Sequence, residues 1–157
     1  MFEPDTKIER ARQFSRLDID DPLSSCSRHP IVLEDKNWLT VEHYYSSKII
    51  ASDRTIALIE KSTTGKKAHD IAKPWYRLKV SNWKNLRKIL MTRALYTKVQ
   101  MYEEVREALL NSGDQMIVEV SAYDHFWGMG RDQRGNNTMG VIWMEIREKL
   151  REQVAGE

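Results

Sequence analysis

From Asn82 to Val99 the chain sets Trp83, Leu86, Leu90, Ala94 and Leu95 along one side of a helix, with Lys84, Arg87, Lys88 and Arg93 mostly elsewhere. No other segment is as strongly periodic. The spacing predicts a helix over 82–99 with its apolar stripe turned to a core and its basic residues on a solvated face. A second amphipathic stretch follows from Tyr102 to Asn111, using Val105, Leu109 and Leu110, and Asn111-Ser112-Gly113 supplies its stop. A chain organised around such stripes folds as a helical assembly.

Shorter signals fill in the rest. Ile31-Val32-Leu33 and Trp38-Leu39 flank the polar run 34–37, which reads as a small hairpin. Thr40 is placed to cap a helix from Val41 to Ala51, with Glu42 in its first turn. Ser52 or Asp53 opens another helix carrying Ile56, Leu58 and Ile59. Ser62 to Gly65 breaks the pattern, and Gly65 to Ala72 is a short helical stretch closed before Pro74. Met116 to Val120 alternates apolar and acidic residues as a strand does. Asp124 to Asn136 is a glycine-bearing loop. Asn137 then caps a last helix, Met139 to Gln153, with Val141, Met144 and Leu150 inward. Residues 1–22 hold Pro4 and Pro22 and only a weak stripe of Ile8, Ala11 and Phe14 between Lys7 and Arg16. They are expected to be loosely ordered or a short helix. The expected fold is mainly α (α+β with minor strands): a single compact multihelical domain over 23–153 with a small hairpin and one or two short strands.

Composition bounds the function classes. The 157 residues suit one domain, and 41% hydrophobic with 31% charged residues is globular rather than disordered. Lys and Arg total 25 against 23 Asp and Glu, so the chain lacks the basic excess of a dedicated nucleic-acid backbone binder. A local basic pocket remains compatible with that balance. Cys26 is the sole cysteine, which excludes an internal disulfide and a multi-cysteine metal site. No run approaches ~20 apolar residues, so no membrane span is expected. Met1 to Arg12 lacks the apolar core of a signal peptide. The default expectation is a cytoplasmic protein.

Three segments carry more chemistry than scaffolding needs. Trp38 to Tyr45 places Glu42 at a helix start among aromatics, where it either faces solvent and complements the helix dipole or is held in a pocket wall. Ser121 to Gly130 puts Asp124 after a strand and before an aromatic loop, as a local turn cap or as a site acid. Gly128, Gly130 and Gly135 permit close backbone approach to a ligand or amides aimed at a phosphate. Trp83 at a helix start reads as core or as a stacking surface for a planar base. Other candidates fail. Gly128-Met129-Gly130 lacks the third glycine of a dinucleotide fingerprint, and there is no Walker-type lysine loop. His29, His43, His69 and His125 show no zinc-ligand spacing, and Cys26 with His29 has nothing to orient it as a nucleophile pair.

Taken in order, these pieces resemble the NADAR family of YbiA-like proteins. The matching runs are Leu23-Ser24-Ser25-Cys26, Trp38 to Tyr45, Asn82-Trp83 with Met91 and Leu95, Ile117 to Ser121, Asp124 to Gly130, and Gly135 to Gly140. Six in sequence across about residues 23–150 are specific where no single one is. The resemblance implies hydrolysis of N-glycosidic bonds: of phosphorylated ribosylamine intermediates of riboflavin synthesis in YbiA-like members, of ADP-ribose on modified guanine in others. It also implies that Glu42, Trp83 and Asp124 are catalytic. Departures are visible. Ser25 and Cys26 stand where the family has Asn-Phe, and Ala72-Lys73 where it has Gly-Arg. Ile49 stands where a lysine follows the glutamate by seven residues, with Lys48 displaced by about a third of a turn.

On this reading Glu42 and Asp124 converge on a sugar, and Trp83 stacks on the base. Lys48, Lys73, Arg131 and Arg134 hold a phosphate together with Trp127 and the loop of Gly128 and Gly130. Asn137 orients a sugar hydroxyl or caps the last helix. No metal and no redox cofactor is expected. The expected partner is a small molecule, a phosphorylated ribosylaminopyrimidine or an ADP-ribose type substrate, with nucleic acid only where it carries a modified base and no membrane. The alternatives are an ADP-ribosyl hydrolase acting on modified nucleobases, a non-catalytic nucleotide-binding module, and a helical interaction protein using the basic 82–99 helix. An older family naming adds a swarming-related role.

Overall fold

The computed structural model describes residues 10–156. Its elements run β1 (Arg12–Phe14), β2 (Ile31–Leu33), β3 (Lys36–Trp38), α1 (Val41–Ile49), α2 (Asp53–Lys61), α3 (Gly65–Ala72), α4 (Trp83–Met101), α5 (Glu103–Asn111), β4 (Ile117–Glu119) and α6 (Thr138–Ala155). The mainly helical α+β class read from the sequence is the observed one.

Local chemistry explains the boundaries. Thr40, Ser52 and Thr64 each accept a hydrogen bond from the backbone N–H three residues on, His43, Thr55 and Lys67 respectively, and so start α1, α2 and α3. The hairpin turns on Glu34 and Asp35, whose φ angles of 56° and 59° suit a two-residue turn. It is tighter than the expected 34–37 turn, because Lys36 and Asn37 join the second strand. Helix α1 stops at Ile49 rather than Ala51. Ile50 is extended and bridges antiparallel to Lys79, which ties the α3–α4 connection to the end of α1.

Helix α1 packs against α3 and α4, and α6 packs against β4 and α4. Tyr44, Met91, Leu95, Met139 and Trp143 are wholly buried where these elements meet. Each such side chain contributes about 1.5–3 kcal/mol of hydrophobic stabilisation. Among the described residues no helix is long and apolar enough to cross a membrane.

Four expectations are corrected. Residues 1–9 lie outside the described residues. Within the rest of the N-terminal segment, Arg12–Phe14 is a strand rather than helix, paired parallel with β4 so that Phe14 stands opposite Glu119. In α6 the buried face is Met139, Ile142, Trp143, Ile146 and Leu150, while Val141 and Met144 are half-buried, because β4 and α4 cover a face rotated from the expected one. In α4 the core register starts at Met91; Leu86 is exposed, and Leu90 is only partly covered. The basic residues of α4 are not all on a solvated face either. Lys98 is wholly buried, its Nζ donating to Ser24 O at 2.6 Å and Ser27 Oγ at 2.5 Å, and burial pushes its ammonium down to about 7.

Candidate active site

Glu42 is the second residue of α1 and wholly buried, not a solvent-facing first-turn acid. Its Oε1 accepts from Arg16 Nη2 at 2.5 Å and from Ser46 Oγ at 3.3 Å. Its Oε2 accepts from Ser25 Oγ at 2.6 Å and Arg16 Nε at 3.2 Å. Ser25, where the resemblance expects asparagine, therefore contacts the carboxylate directly. His69 Nδ1 of α3 stands 3.4 Å from Oε1. Burial disfavours the charge, but Arg16 and His69 outweigh it and hold the Glu42 carboxyl well below the usual range. The Arg16 guanidinium is likewise buried, and Glu42 overcomes that cost and raises its pKa.

Arg16 also reaches the second acid. Its Nη1 lies 3.4 Å from Asp124 Oδ2. Asp124 Oδ1 accepts the N–H groups of Phe126 (3.1 Å) and Trp127 (2.8 Å), an Asx turn that starts the aromatic loop. Asp124 thus serves the local turn and still presents a partly exposed carboxylate beside Glu42. The Arg16 guanidinium carbon sits 5.4 Å from the ring centres of both Tyr45 and Trp127, which keep it desolvated.

These groups line one cavity of about 190 Å³ that also reaches Trp83. Lys73, Lys79 and Arg87 also line it. Lys79 Nζ donates to Ala72 O at 2.9 Å, and burial followed by the nearby Arg77 lowers its pKa. Arg87 lies 3.2 Å over the Phe126 ring centre and 5.6 Å from that of Trp83. Its buried Nε has no hydrogen-bond partner among the described residues. The lining thus combines two carboxylates bridged by a guanidinium, an indole and three further cationic side chains.

The structure therefore brings Glu42, Asp124, Trp83, Lys73 and Trp127 to one cavity, and leaves Lys48, Gly128, Gly130, Arg131, Arg134 and Asn137 off its lining. Lys48 Nζ pairs with Glu34 Oε2 at 2.5 Å and lies over Trp38 and Tyr44; Ile49, its neighbour, lines the cavity instead. Arg131 and Arg134 are exposed. The close approaches of the glycine loop are to the protein itself. A Cβ at Gly128 would meet Glu119 Oε2 at 2.7 Å, and Gly130 has φ +69° with the His125 ring against it. The loop's amides are largely spent inside: Met129 N on Glu119 O, Gly135 N on Met129 O, Asn136 N on His125 O. The Asn137 amide is spent too. Its Nδ2 donates to Ile117 O and its Oδ1 accepts from Glu119 N, both at 2.9 Å, so it closes the second edge of β4 and does not cap α6 through its side chain.

Sequence reasoning missed Arg16, His69, Lys79 and Arg87. Arg16 carries no local signal, since its partners lie 26 and 108 residues away. His69 was weighed only as a metal ligand. Among the described residues no group of three or more His, Cys, Asp or Glu could hold a metal ion.

The family model described as NADAR domain matches residues 4–151. The chain belongs to the NADAR family. This NADAR chain is 33% identical over 131 residues to the N-glycosidase Npun_R5314 of Nostoc punctiforme, covering 82% of this chain and 84% of that one. It is 28% identical over 141 residues to N-glycosidase YbiA of Escherichia coli, covering 87% and 86%. The solved NMR structure of the E. coli protein superposes with a TM-score of 0.81 over 93% of this chain and 89% of that one, at 24% identity, and shares the fold. The riboflavin biosynthesis protein PYRR of Zea mays is 30% identical over 148 residues, with 85% of this chain matching 24% of that longer protein. Relatives matched over most of their length carry the N-glycosidase name, and this NADAR chain is an enzyme of that class, as the resemblance implied.

Proposed function

We propose that the chain hydrolyses the C–N bond between a ribose 5-phosphate and an aminopyrimidine, as in the ribosylamine intermediates of riboflavin synthesis. The observation that carries the proposal is the Glu42–Arg16–Asp124 bridge sharing one cavity with Trp83, Lys73, Lys79 and Arg87. The riboflavin-pathway name of the maize relative supports this substrate class.

Breaking an N-ribosyl bond develops positive charge on the sugar. A carboxylate whose partners favour its ionised form stabilises that charge without reorganising, and Glu42 has the hydrogen bonds for it. Asp124 Oδ2, partly open, is the carboxylate oxygen available to take a proton from the attacking water. Trp83 stacks on the heterocycle. The phosphate goes to Lys73 and Arg87, with Lys79 beside them. This replaces the loop arginines and Lys48 as the phosphate site, for the geometric reasons above.

The test is to incubate the purified protein with a 5-phosphoribosylaminopyrimidine and measure released ribose 5-phosphate, alongside an ADP-ribosylated nucleobase. The first substrate is expected to be turned over, and Glu42→Gln to lose at least about a hundredfold in kcat. Inert protein, or a Glu42→Gln variant as fast as the original, overturns the proposal.

A further inference from the structure

The departing nitrogen needs a proton, and neither carboxylate at the cavity floor is arranged to give one. Glu42 accepts from Arg16, Ser25 and Ser46. Asp124 accepts two backbone N–H groups on one oxygen and faces Arg16 with the other. The oxygens of both carboxylates are thus taken up as acceptors of these donors.

The other titratable and charged groups lining the cavity come from four places. The N-terminal segment brings Arg16, α1 brings Tyr45, α4 brings Arg87, and α3 with its following loop brings His69, Lys73 and Lys79. Guanidinium groups do not release protons. Burial pushes the Tyr45 phenol up to about 12, and Lys79 is already donating to Ala72 O. Histidine is the side-chain type that exchanges protons near neutral pH. The His69 side chain lines the cavity and is 19% exposed, and its Nδ1 is 3.4 Å from Glu42 Oε1. A carboxylate on Nδ1 orients the ring and favours a proton there, which leaves Nε2 as the exchanging nitrogen.

We infer that His69 is the general acid of the C–N cleavage, delivering the Nε2 proton of its imidazolium to the departing nitrogen. The inference rests on the function proposed above. In the step, the C1′–N bond breaks and its electron pair takes the His69 proton, giving the free amine. The oxygen of water bonds to C1′, one water proton passes to Asp124 Oδ2, and its return through solvent to His69 restores the starting state. Water is the only co-reactant. Glu42 compensates the sugar charge and at the same time holds the imidazole, so one carboxylate serves both partners of the bond.

The experiment compares wild type, His69→Gln and His69→Asn on a 5-phosphoribosylaminopyrimidine and on p-nitrophenyl riboside 5-phosphate, whose leaving group departs without protonation. On the amine substrate the variants are expected to lose about 10²–10⁴-fold in kcat and the fall in rate on the alkaline side of the wild-type pH profile. On the nitrophenyl substrate they are expected to stay within about fivefold, which also shows that they are folded. Added imidazole is expected to restore part of the rate to His69→Ala. Variants that match wild type on the amine, or that lose equally on both substrates while keeping the wild-type melting temperature, overturn the assignment. A wild type inert toward the amine overturns the function and this assignment together; an active wild type with unaffected variants overturns the assignment alone.

Discussion

Arg16 and Asp124 lie 108 residues apart in the chain, yet Arg16 Nη1 stands 3.4 Å from Asp124 Oδ2 while the same guanidinium grips Glu42. The parallel pairing of β1 with β4 brings them together. Arg16 follows β1 by two residues and Asp124 follows β4 by five, so both emerge from the same end of the two-stranded sheet.

Arg16→Met should destabilise the protein by about 3–5 kcal/mol, because it leaves the buried Glu42 without its guanidinium. Arg16→Lys should fold but lose the two-pronged grip and much of the activity. Urea unfolding and turnover of the same preparations check this. A full-strength Arg16→Met on both counts would refute the bridge.

Arg87→Ala should raise KM about tenfold or more for a phosphorylated substrate, since a charged hydrogen bond to phosphate contributes roughly 1.5–3 kcal/mol. Arg134→Ala should stay within about twofold of wild type. Steady-state kinetics separate the two, and the reverse ranking would return the phosphate to the glycine loop.

Asn137→Ala should cost about 2–4 kcal/mol, because Glu119 N–H and Ile117 C=O each lose their partner inside the protein. Asn137→Asp keeps the acceptor and loses the donor, so it should fall between. Chemical denaturation reads both, and a loss below about 1 kcal/mol for the alanine variant contradicts the edge-closing role.

Lys98 gives a signed pH effect. Burial lowers its folded-state value from 10.5 to about 7, so between these values the unfolded chain binds a proton that the folded one does not. Stability from this group therefore rises with pH across that window and is lowest at and below about 7. Lys98→Met removes the titrating group. Its stability relative to wild type should be most favourable near pH 6 and decline toward pH 10, by a few kcal/mol. Parallel pH profiles for the two proteins would contradict a buried ammonium.

Much of the fold was legible because its signals are local. Thr40, Thr64 and the 82–99 stripe announce helices through neighbours within a turn or two. The site was legible only where a residue type was odd for its place, as with Glu42 among aromatics or Asp124 before a glycine loop. Arg16 and His69 gave no such sign. An arginine in a polar segment and a histidine on a short helix become informative only when tertiary packing removes water from them. The inward face of α6 was misjudged for a related reason: which stripe is covered depends on where β4 and α4 lie, and spacing along one helix does not encode that.

The β1–β4 pairing makes the cleft depend on a contact that spans most of the described chain. The helices from Val41 to Asn111 pack on partners close by in the chain, but the guanidinium that neutralises Glu42 is in place only with the first described strand beside the last in the correct register. A slip of one residue would turn Phe14 outward and carry Arg16 away from both acids. Turnover would then report on closure of the whole chain, and a shortened form starting after Arg16 but before the hairpin would be expected to keep much helical signal while losing its chemistry.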